Sequence, residues 1–151
     1  MINWTDLSKD EQIAALQNVA GIKHIPPQAV EKDMWVTTIL QIVFSLPFAD
    51  SLVFKGGTSL SKVFGKIERF SEDIDLAIDR TYFGLEGDST YPEPRQIFIE
   101  YPSLFRESLD YIKPRVMLEI GFRSLIEPTT VTHVQSVHQP SSSGIYQHER
   151  C

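Results

Sequence analysis

The sequence predicts an α/β (α+β) fold. Two helical segments come first, a short apolar strand then runs into a Gly-Gly pair, and two segments of strict alternation, 73–78 and 115–122, follow farther along the chain. Helical and strand periodicities in separate parts of one chain are typical of helices packed beside a sheet. The 151 residues are enough for one domain with a hydrophobic core.

The N-terminal part predicts two helices. Ser8 followed by Glu11 is the pattern of a capping box, which begins a helix over residues 8–19. Pro26-Pro27 interrupts the chain, and residues 28–46 then repeat apolar side chains at helical spacing. These helices form the first half of the predicted fold.

The middle of the chain predicts three strands and two further helices. The strands are 52–54, 73–78 and 115–122, and the helices are Ser59–Phe64 and Ser103–Ile112. In both longer strands, every second side chain is apolar, so one face of each strand is expected to pack on a core.

The C-terminal part carries weaker signals. Residues 131–137 are compatible with a short strand. The last dozen residues are polar and rich in serine, and they predict a disordered or poorly packed tail.

Composition and charge limit the classes of function. The chain is 42% hydrophobic and 23% charged, with a net charge of -6, which argues against a general nucleic-acid binder with a broad basic surface. A basic segment, 55–69, stands out from this acidic background and indicates a small anionic ligand at a defined place. No apolar run is long enough to span a bilayer, and the N-terminal residues lack the basic and apolar regions of a signal peptide. The single cysteine is the last residue, so we expect a cytoplasmic protein without a membrane partner.

Two aspartates on one strand predict a metal site. Asp73 and Asp75 lie ~6.6 Å apart on the same face of a strand, where two like charges are unfavourable without a cation. A hard divalent cation, Mg²⁺ or Mn²⁺, is the simplest compensation. Glu119 lies on the polar face of the strand over residues 115–122. If the two strands are neighbours, three carboxylates converge, which is enough to hold two metal ions about 3.5–4 Å apart.

A glycine pair ahead of the aspartates predicts phosphate binding. Gly56-Gly57 ends a strand, and Thr58-Ser59 opens a helix, so backbone N–H groups and hydroxyls would face an anion. Lys62, one turn into that helix, can place its ammonium beside the same phosphates. Phosphates near this helix and metals at the carboxylates together describe a nucleoside triphosphate site.

Three segments carry a resemblance to a known family. VEKDMWVTTIL, VFKGGTSLSKVF and RFSEDIDLAI together resemble the AbiEii/AbiGii nucleotidyltransferases, the toxins of type IV toxin–antitoxin systems, within the polymerase-β-like nucleotidyltransferase superfamily. The resemblance covers residues 27–125. It implies a polymerase-β-like core with a small mixed sheet flanked by helices, in a domain over residues 1–131 with its catalytic core at 51–126 and a tail at 132–151.

The resemblance also implies roles for individual residues. Gly56, Gly57, Thr58 and Ser59 would contact the triphosphate, Asp73 and Asp75 would bind metal, and Glu119 would be the third carboxylate and help to deprotonate the acceptor hydroxyl. Arg69 and Ser71 match the Arg-x-Ser motif that precedes the aspartates in the family. They would either contact the ligand or belong to a turn held by Ser71. Lys62 matches a basic position, either at the ligand or solvated. The charged run at 31–33 is interpreted as a structural ion pair.

The leading hypothesis is a metal-dependent nucleotidyltransferase. It would transfer a nucleotidyl group from an NTP, with Mg²⁺ or Mn²⁺, to a hydroxyl of an RNA such as tRNA or of a protein, as a toxin in abortive infection with a cognate antitoxin. Because family members continue into a mostly helical second half, we also expect a short form with weak or no turnover. The alternatives are a catalytically incomplete NTP-binding or protein-interaction module, and a structural α/β domain with incidental acidic pairs.

Overall fold

A computed structural model describes residues 4–62, 72–84, 93–105, 111–123, 129–133 and 146–150. Its helices are α1 (Lys9–Lys23), α2 (Pro27–Phe44) and α3 (Gly56–Lys62), and its strands are β1 (Leu52–Lys55), β2 (Asp73–Asp79), β3 (Arg95–Glu100), β4 (Arg115–Arg123), β5 (Thr129–His133) and β6 (Tyr146–Arg150). Within the described ranges, every helix is too short or too polar to cross a bilayer.

The capping box predicted for α1 is present. The Ser8 side chain accepts a hydrogen bond from the Glu11 backbone N–H, and the Glu11 carboxylate accepts one from the Ser8 backbone N–H at 2.8 Å. The helix runs one turn beyond the predicted end at residue 19 and stops at Lys23, because His24 adopts a left-handed backbone with φ 55.

Helix α2 begins at Pro27, the first helical position, where the missing N–H of proline costs nothing. It ends at Phe44, two residues before the predicted end. Val36, Ile39 and Leu40 are buried against the sheet, so one side of α2 forms half of the main core.

The four main strands form a mixed sheet in the order β1-β2-β4-β3. Strand β1 is antiparallel to β2, β2 is parallel to β4, and β4 is antiparallel to β3. The predicted fold class, with a small mixed sheet flanked by helices, is confirmed.

The two faces of this sheet differ. Ile74, Leu76 and Val116 are fully buried and point toward α2. Asp73 and Asp75 alternate with them and therefore lie on the opposite face, where Asp73 is exposed and Asp75 half-buried. The predicted alternation of both longer strands is confirmed, and it separates an apolar face from a polar one.

Apart from the ends of elements, the structure differs from the sequence-based prediction in three places. Strand β3 was not predicted. In the segment 103–112, the described residues 103–105 and 111–112 are not helical, so the predicted helix is wrong for both ends of the segment. The expectation of a disordered tail is wrong for β6, which pairs antiparallel with β5.

Candidate active site

A row of four polar side chains, called the acidic row below, crosses the open face of the sheet. In the strand register, Lys55 of β1 pairs with Asp75 of β2, Asp75 pairs with Glu119 of β4, and Glu119 pairs with Gln96 of β3. Paired residues on adjacent strands point to the same face. The condition placed on Glu119, that its strand neighbours the aspartate strand, is therefore met.

Asp73 lies at the exposed end of the same face. It precedes Asp75 by two residues, and its register partner on β4 is Met117. Ala77, two residues after Asp75 on β2, is buried on this face. The acidic part of the face is consequently its open end, where a ligand has access.

The electrostatics of the row centre on Asp75. Burial raises the pKa of its carboxyl above the ordinary value, the neighbouring Lys55 ammonium lowers it, and the negative charges of Glu119 and Asp73 raise it again. The charged form of Asp75 is thus opposed by desolvation and by two like charges. A bound cation would relieve both.

The carboxylates share a face without forming a closed metal cage. Within the described ranges, no three His, Cys, Asp or Glu side chains are grouped tightly enough to hold a metal ion. The Glu119 carboxylate instead accepts a hydrogen bond from the Gln96 side-chain amide at 2.9 Å. Oxygen donors of this type suit Mg²⁺ or Mn²⁺, and metal binding by Asp73, Asp75 and Glu119 stays a prediction.

Gly56 brings the backbone of α3 against Asp75. Its φ of +82 lies in the left-handed region, and a Cβ atom placed on it would overlap the Asp75 carboxyl. Only glycine fits here without strain or overlap. The predicted glycine segment and the predicted metal ligand are therefore in direct contact.

The hydroxyls of the glycine segment are turned inward. Thr58 and Ser59 are buried, and their Oγ atoms donate hydrogen bonds to the backbone carbonyls of Asp73 at 2.5 Å and Gly56 at 2.9 Å. The Thr58 bond fixes the start of α3 to the first residue of β2, whereas the Ser59 bond lies within α3. Contact of Gly56, Gly57, Thr58 and Ser59 with a triphosphate stays a prediction.

Lys62 forms a buried ion pair with α2. Its Nζ atom lies 2.7 Å from Oδ1 of Asp33 and donates to Oγ1 of Thr37 at 3.1 Å. The alternative that Lys62 is solvated is wrong, because its side chain is only 3% exposed. Its ammonium anchors α3 to α2, and a contact of Lys62 with phosphate stays a prediction.

The charged run of α2 connects this helix to three separate segments. Besides the Asp33 pair, Lys32 forms a 2.9 Å ion pair with Glu72, the residue before β2. Glu31 accepts hydrogen bonds from the Ser103 hydroxyl and, at 2.6 Å, from the Leu104 backbone N–H. The structural interpretation of residues 31–33 is confirmed.

Burial also perturbs two groups around this run. It raises the pKa of Glu31, an effect that the hydrogen bonds from Leu104 and Ser103 partly offset. Burial, followed by the negative charges of Glu31 and Glu72, raises the pKa of Tyr101 far above its ordinary range.

Sequence reasoning did not predict that Gln96 and Lys55 belong to the acidic row. Gln96 was missed because β3 was not recognised as a strand. The signal for Lys55 was its position just before the glycine pair, at the end of an apolar strand. Arg69 and Ser71, two of the predicted contacts, lie outside the described residues.

Comparison with known proteins matches part of the chain to a family. The family model described as "Nucleotidyl transferase AbiEii toxin, Type IV TA system" matches residues 39–95. This range includes Gly56, Asp73 and Asp75, whereas Glu119 lies beyond it. The match confirms the family resemblance predicted from the sequence. No curated protein and no solved structure matches the chain.

Proposed function

We propose that this protein is a metal-dependent nucleotidyltransferase that moves a nucleotidyl group from an NTP to an acceptor hydroxyl. The observation that carries the proposal is the pairing of Asp75 with Glu119, with Gly56 in contact with the same aspartate. The family match over residues 39–95 supports the reaction class.

In this proposal, the acidic end of the open face holds the metal. Asp73, Asp75 and Glu119 supply the oxygen ligands to Mg²⁺ or Mn²⁺. Bound metal would neutralise the charge that develops on the phosphoryl oxygens and would activate the attacking oxygen. Burial raises the pKa of Asp75, and a bound cation would stabilise its charged form further than Lys55 does.

The reaction requires one bond to form and one to break. The acceptor oxygen bonds to the α-phosphorus of the NTP while the bond from that phosphorus to the oxygen bridging the β-phosphate breaks, so pyrophosphate leaves with the bonding electrons. The hydroxyl proton passes to a carboxylate, for which Glu119 is the proposed acceptor.

The glycine segment is proposed to hold the triphosphate. Because the Thr58 and Ser59 hydroxyls are bonded inside the protein, the proposed phosphate contacts of residues 56–59 are made by their backbone N–H groups. Lys62 holds this segment against α2 through its ion pair with Asp33. Arg69 and Ser71 remain proposed contacts on the basis of the sequence.

The biological setting is proposed from the family. A toxin of a type IV toxin–antitoxin system implies a cognate antitoxin, and the acceptor would be an RNA such as tRNA, or a protein. The net charge of -6 favours a contact with RNA that is confined to the site over binding across the whole surface.

The test is transfer of radiolabel from NTPs labelled at the α-phosphate to total RNA or protein in the presence of Mg²⁺. We expect labelled product from the wild type and at least a hundredfold less from Asp75→Asn and Glu119→Gln. Asp79→Asn is the matched control. It lies on the same strand and face, about 13 Å from Asp75, and asparagine can keep its hydrogen bond to the Thr81 N–H.

The outcomes separate the hypotheses. Metal-dependent NTP binding without any labelled product would favour the catalytically incomplete binding module. Titration calorimetry with each NTP and Mg²⁺ tests the enzyme proposal directly. If neither the wild type nor Asp75→Asn binds any NTP, the proposal is contradicted.

A further inference from the structure

An aromatic side chain stands on the open face beside the acidic row. Phe98 of β3 pairs with Met117 of β4, and Met117 pairs with Asp73 of β2, so the three lie in a row on one face. Phe98 is 51% exposed, although burying an aromatic ring is favourable by a few kcal/mol. The exposed ring therefore lies two strands away from a predicted metal ligand.

A guanidinium group covers part of this ring. The Cζ atom of Arg115 lies 4.6 Å from the centroid of Phe98, which is the geometry of a cation–π contact. Arg115 is itself exposed, so its charge is accessible to solvent and to a ligand, with the exposed Glu100 as its register partner on β3. The aromatic surface and the positive charge form one continuous patch.

The patch lies at a suitable distance from the proposed chemistry. Glu119 and Arg115 are the two diagonal neighbours of Phe98 on β4. Diagonal neighbours in antiparallel strands are about 7–8 Å apart. One nucleoside could bridge such a gap, with its base on the ring and its sugar or phosphate at the carboxylates.

The opposite face of the same strand provides a contrast. Ile97 is exposed to a similar extent, 48%, but it points away from the acidic row. Exposure of an apolar side chain on an edge strand is common to both residues. Arg115 and the nearby carboxylates belong to the face of Phe98, whereas Arg95 lies on the face of Ile97 without a carboxylate opposite it on β4.

We propose that Phe98 and Arg115 form a stacking platform for a nucleobase of the substrate. The ring would stack on the base, and the guanidinium would pair with a neighbouring phosphate. The inference rests on the proposed function, since it assigns part of the same site. The base belongs either to the donor NTP or to a single-stranded acceptor RNA, and the two sources are separated by experiment.

Binding is measured for each source without turnover. One arm titrates each NTP with Mg²⁺ in the absence of acceptor, and the other titrates a fluorescein-labelled oligoribonucleotide of mixed sequence without NTP. We expect Phe98→Ala to raise Kd about fivefold to 150-fold in the arm that supplies the base. Phe98→Tyr, which keeps the ring, should stay within about twofold of wild type.

Ile97→Ala is the matched control, because it removes a similarly exposed side chain from the other face of β3. It should leave both Kd values within about twofold of wild type. In the RNA arm, Arg115→Gln should lower the slope of log Kd against log salt by about one unit, as expected for one lost phosphate contact.

Two results would overturn the platform: Phe98→Ala without effect in both arms, or equal losses in Phe98→Ala and Ile97→Ala. Since neither arm needs catalysis, the outcome is independent of the transfer assay. Phe98-dependent binding by an inactive chain would contradict the catalytic proposal alone. Transfer activity with binding insensitive to Phe98→Ala would contradict the platform alone.

Discussion

Gly56 has both an unusual backbone conformation and a direct contact with a proposed metal ligand. Its left-handed φ makes a turn from β1 into α3, and its missing side chain leaves room for the Asp75 carboxyl. Gly84 has a similar φ of +67, but an added Cβ would meet nothing within 4 Å. Comparing substitutions at these two glycines therefore separates the effect of backbone strain from the effect of overlap with the Asp75 carboxyl.

Substitution of Gly56 should cost both stability and ligand binding. We expect Gly56→Ala and Gly84→Ala each to lower the free energy of unfolding by ~1–2 kcal/mol through the left-handed backbone. Gly56→Ala should lose more, because its Cβ displaces Asp75, and only this variant should weaken Mg²⁺-dependent NTP binding. Urea unfolding and titration calorimetry provide the two readouts. Equal behaviour of the two variants would contradict the proposed contact.

Glu31 should give stability a distinctive pH dependence. Burial raises its pKa in the folded protein above the ordinary value of 4.5, so the folded state binds more protons than the unfolded state between those two values. The contribution of Glu31 to stability is then largest below pH 4.5 and declines as pH rises through its folded pKa. Glu31→Gln should remove this decline in unfolding experiments between pH 4 and pH 8.

Glu11 is the opposite case and serves as a control. The hydrogen bonds from Ser8 lower its pKa, so its contribution is present above pH 4.5 and is lost as pH falls. Glu11→Gln should therefore reduce stability at neutral pH and change little in acid. The same sign of slope change in both variants would refute the assignment to Glu31.

At the scale of elements, helix α2 organises the site through buried charges. Its residues 31–33 contact α3, the start of β2 and the segment after β3. The partners lie 29, 40 and 73 residues away in sequence, and a local pattern carries no information about such distances. For this reason the sequence could predict an ion pair in this run but not its partners.

The Lys62–Asp33 pair should be the critical one. Asp33→Asn leaves a buried ammonium without its counter-charge, and we expect a loss of ~3–5 kcal/mol. Glu72→Gln also removes the counter-charge of a buried ammonium, because the Lys32 side chain is only 5% exposed, but its acid is 42% exposed and water can reach the pair. We therefore expect a smaller loss of ~1–3 kcal/mol. The double variant Asp33→Leu with Lys62→Met should recover most of the stability.

The double variant also tests the predicted phosphate contact of Lys62. If Lys62 acts only through α2, the stable double variant keeps its affinity for NTP. If its ammonium reaches the triphosphate, affinity falls although stability is recovered. Chemical denaturation and calorimetry on the same samples distinguish these results.

Strand β3 shows why some elements escaped prediction. Its described side chains are almost all exposed, so it lacks the alternation of buried and solvated residues that revealed β2 and β4. The segment after it, 103–112, was predicted as a helix, but Ser103 and Leu104 bond to Glu31 instead. In both places tertiary contacts decide the local structure.

At the scale of the whole molecule, the site depends on a parallel pairing that no local signal specifies. Asp75 and Glu119 meet because β2 and β4 are adjacent, parallel and in a particular register. The sequence predicted that both strands have one polar face, and the family resemblance predicted a mixed sheet. The register itself follows from burial of Ile74, Leu76, Val116 and Leu118 against α2, since a shift by one residue would expose them.

This architecture predicts a gradient of hydrogen exchange across the sheet. Strands β2 and β4 are bonded on both sides, whereas β3 lies at the edge of the four-stranded sheet. Amide protons of β2 should therefore exchange only through global unfolding, and those of β3 that face away from β4 should exchange orders of magnitude faster. Leu76→Ala, which opens a cavity in the core, should accelerate exchange in β2 by an amount that matches its loss of ~2–5 kcal/mol. Ile97→Ala, at the exposed edge, should leave the β2 rates unchanged. Fast exchange throughout β2 in the wild type would show that the pairing of Asp75 with Glu119 is not held by a stable core.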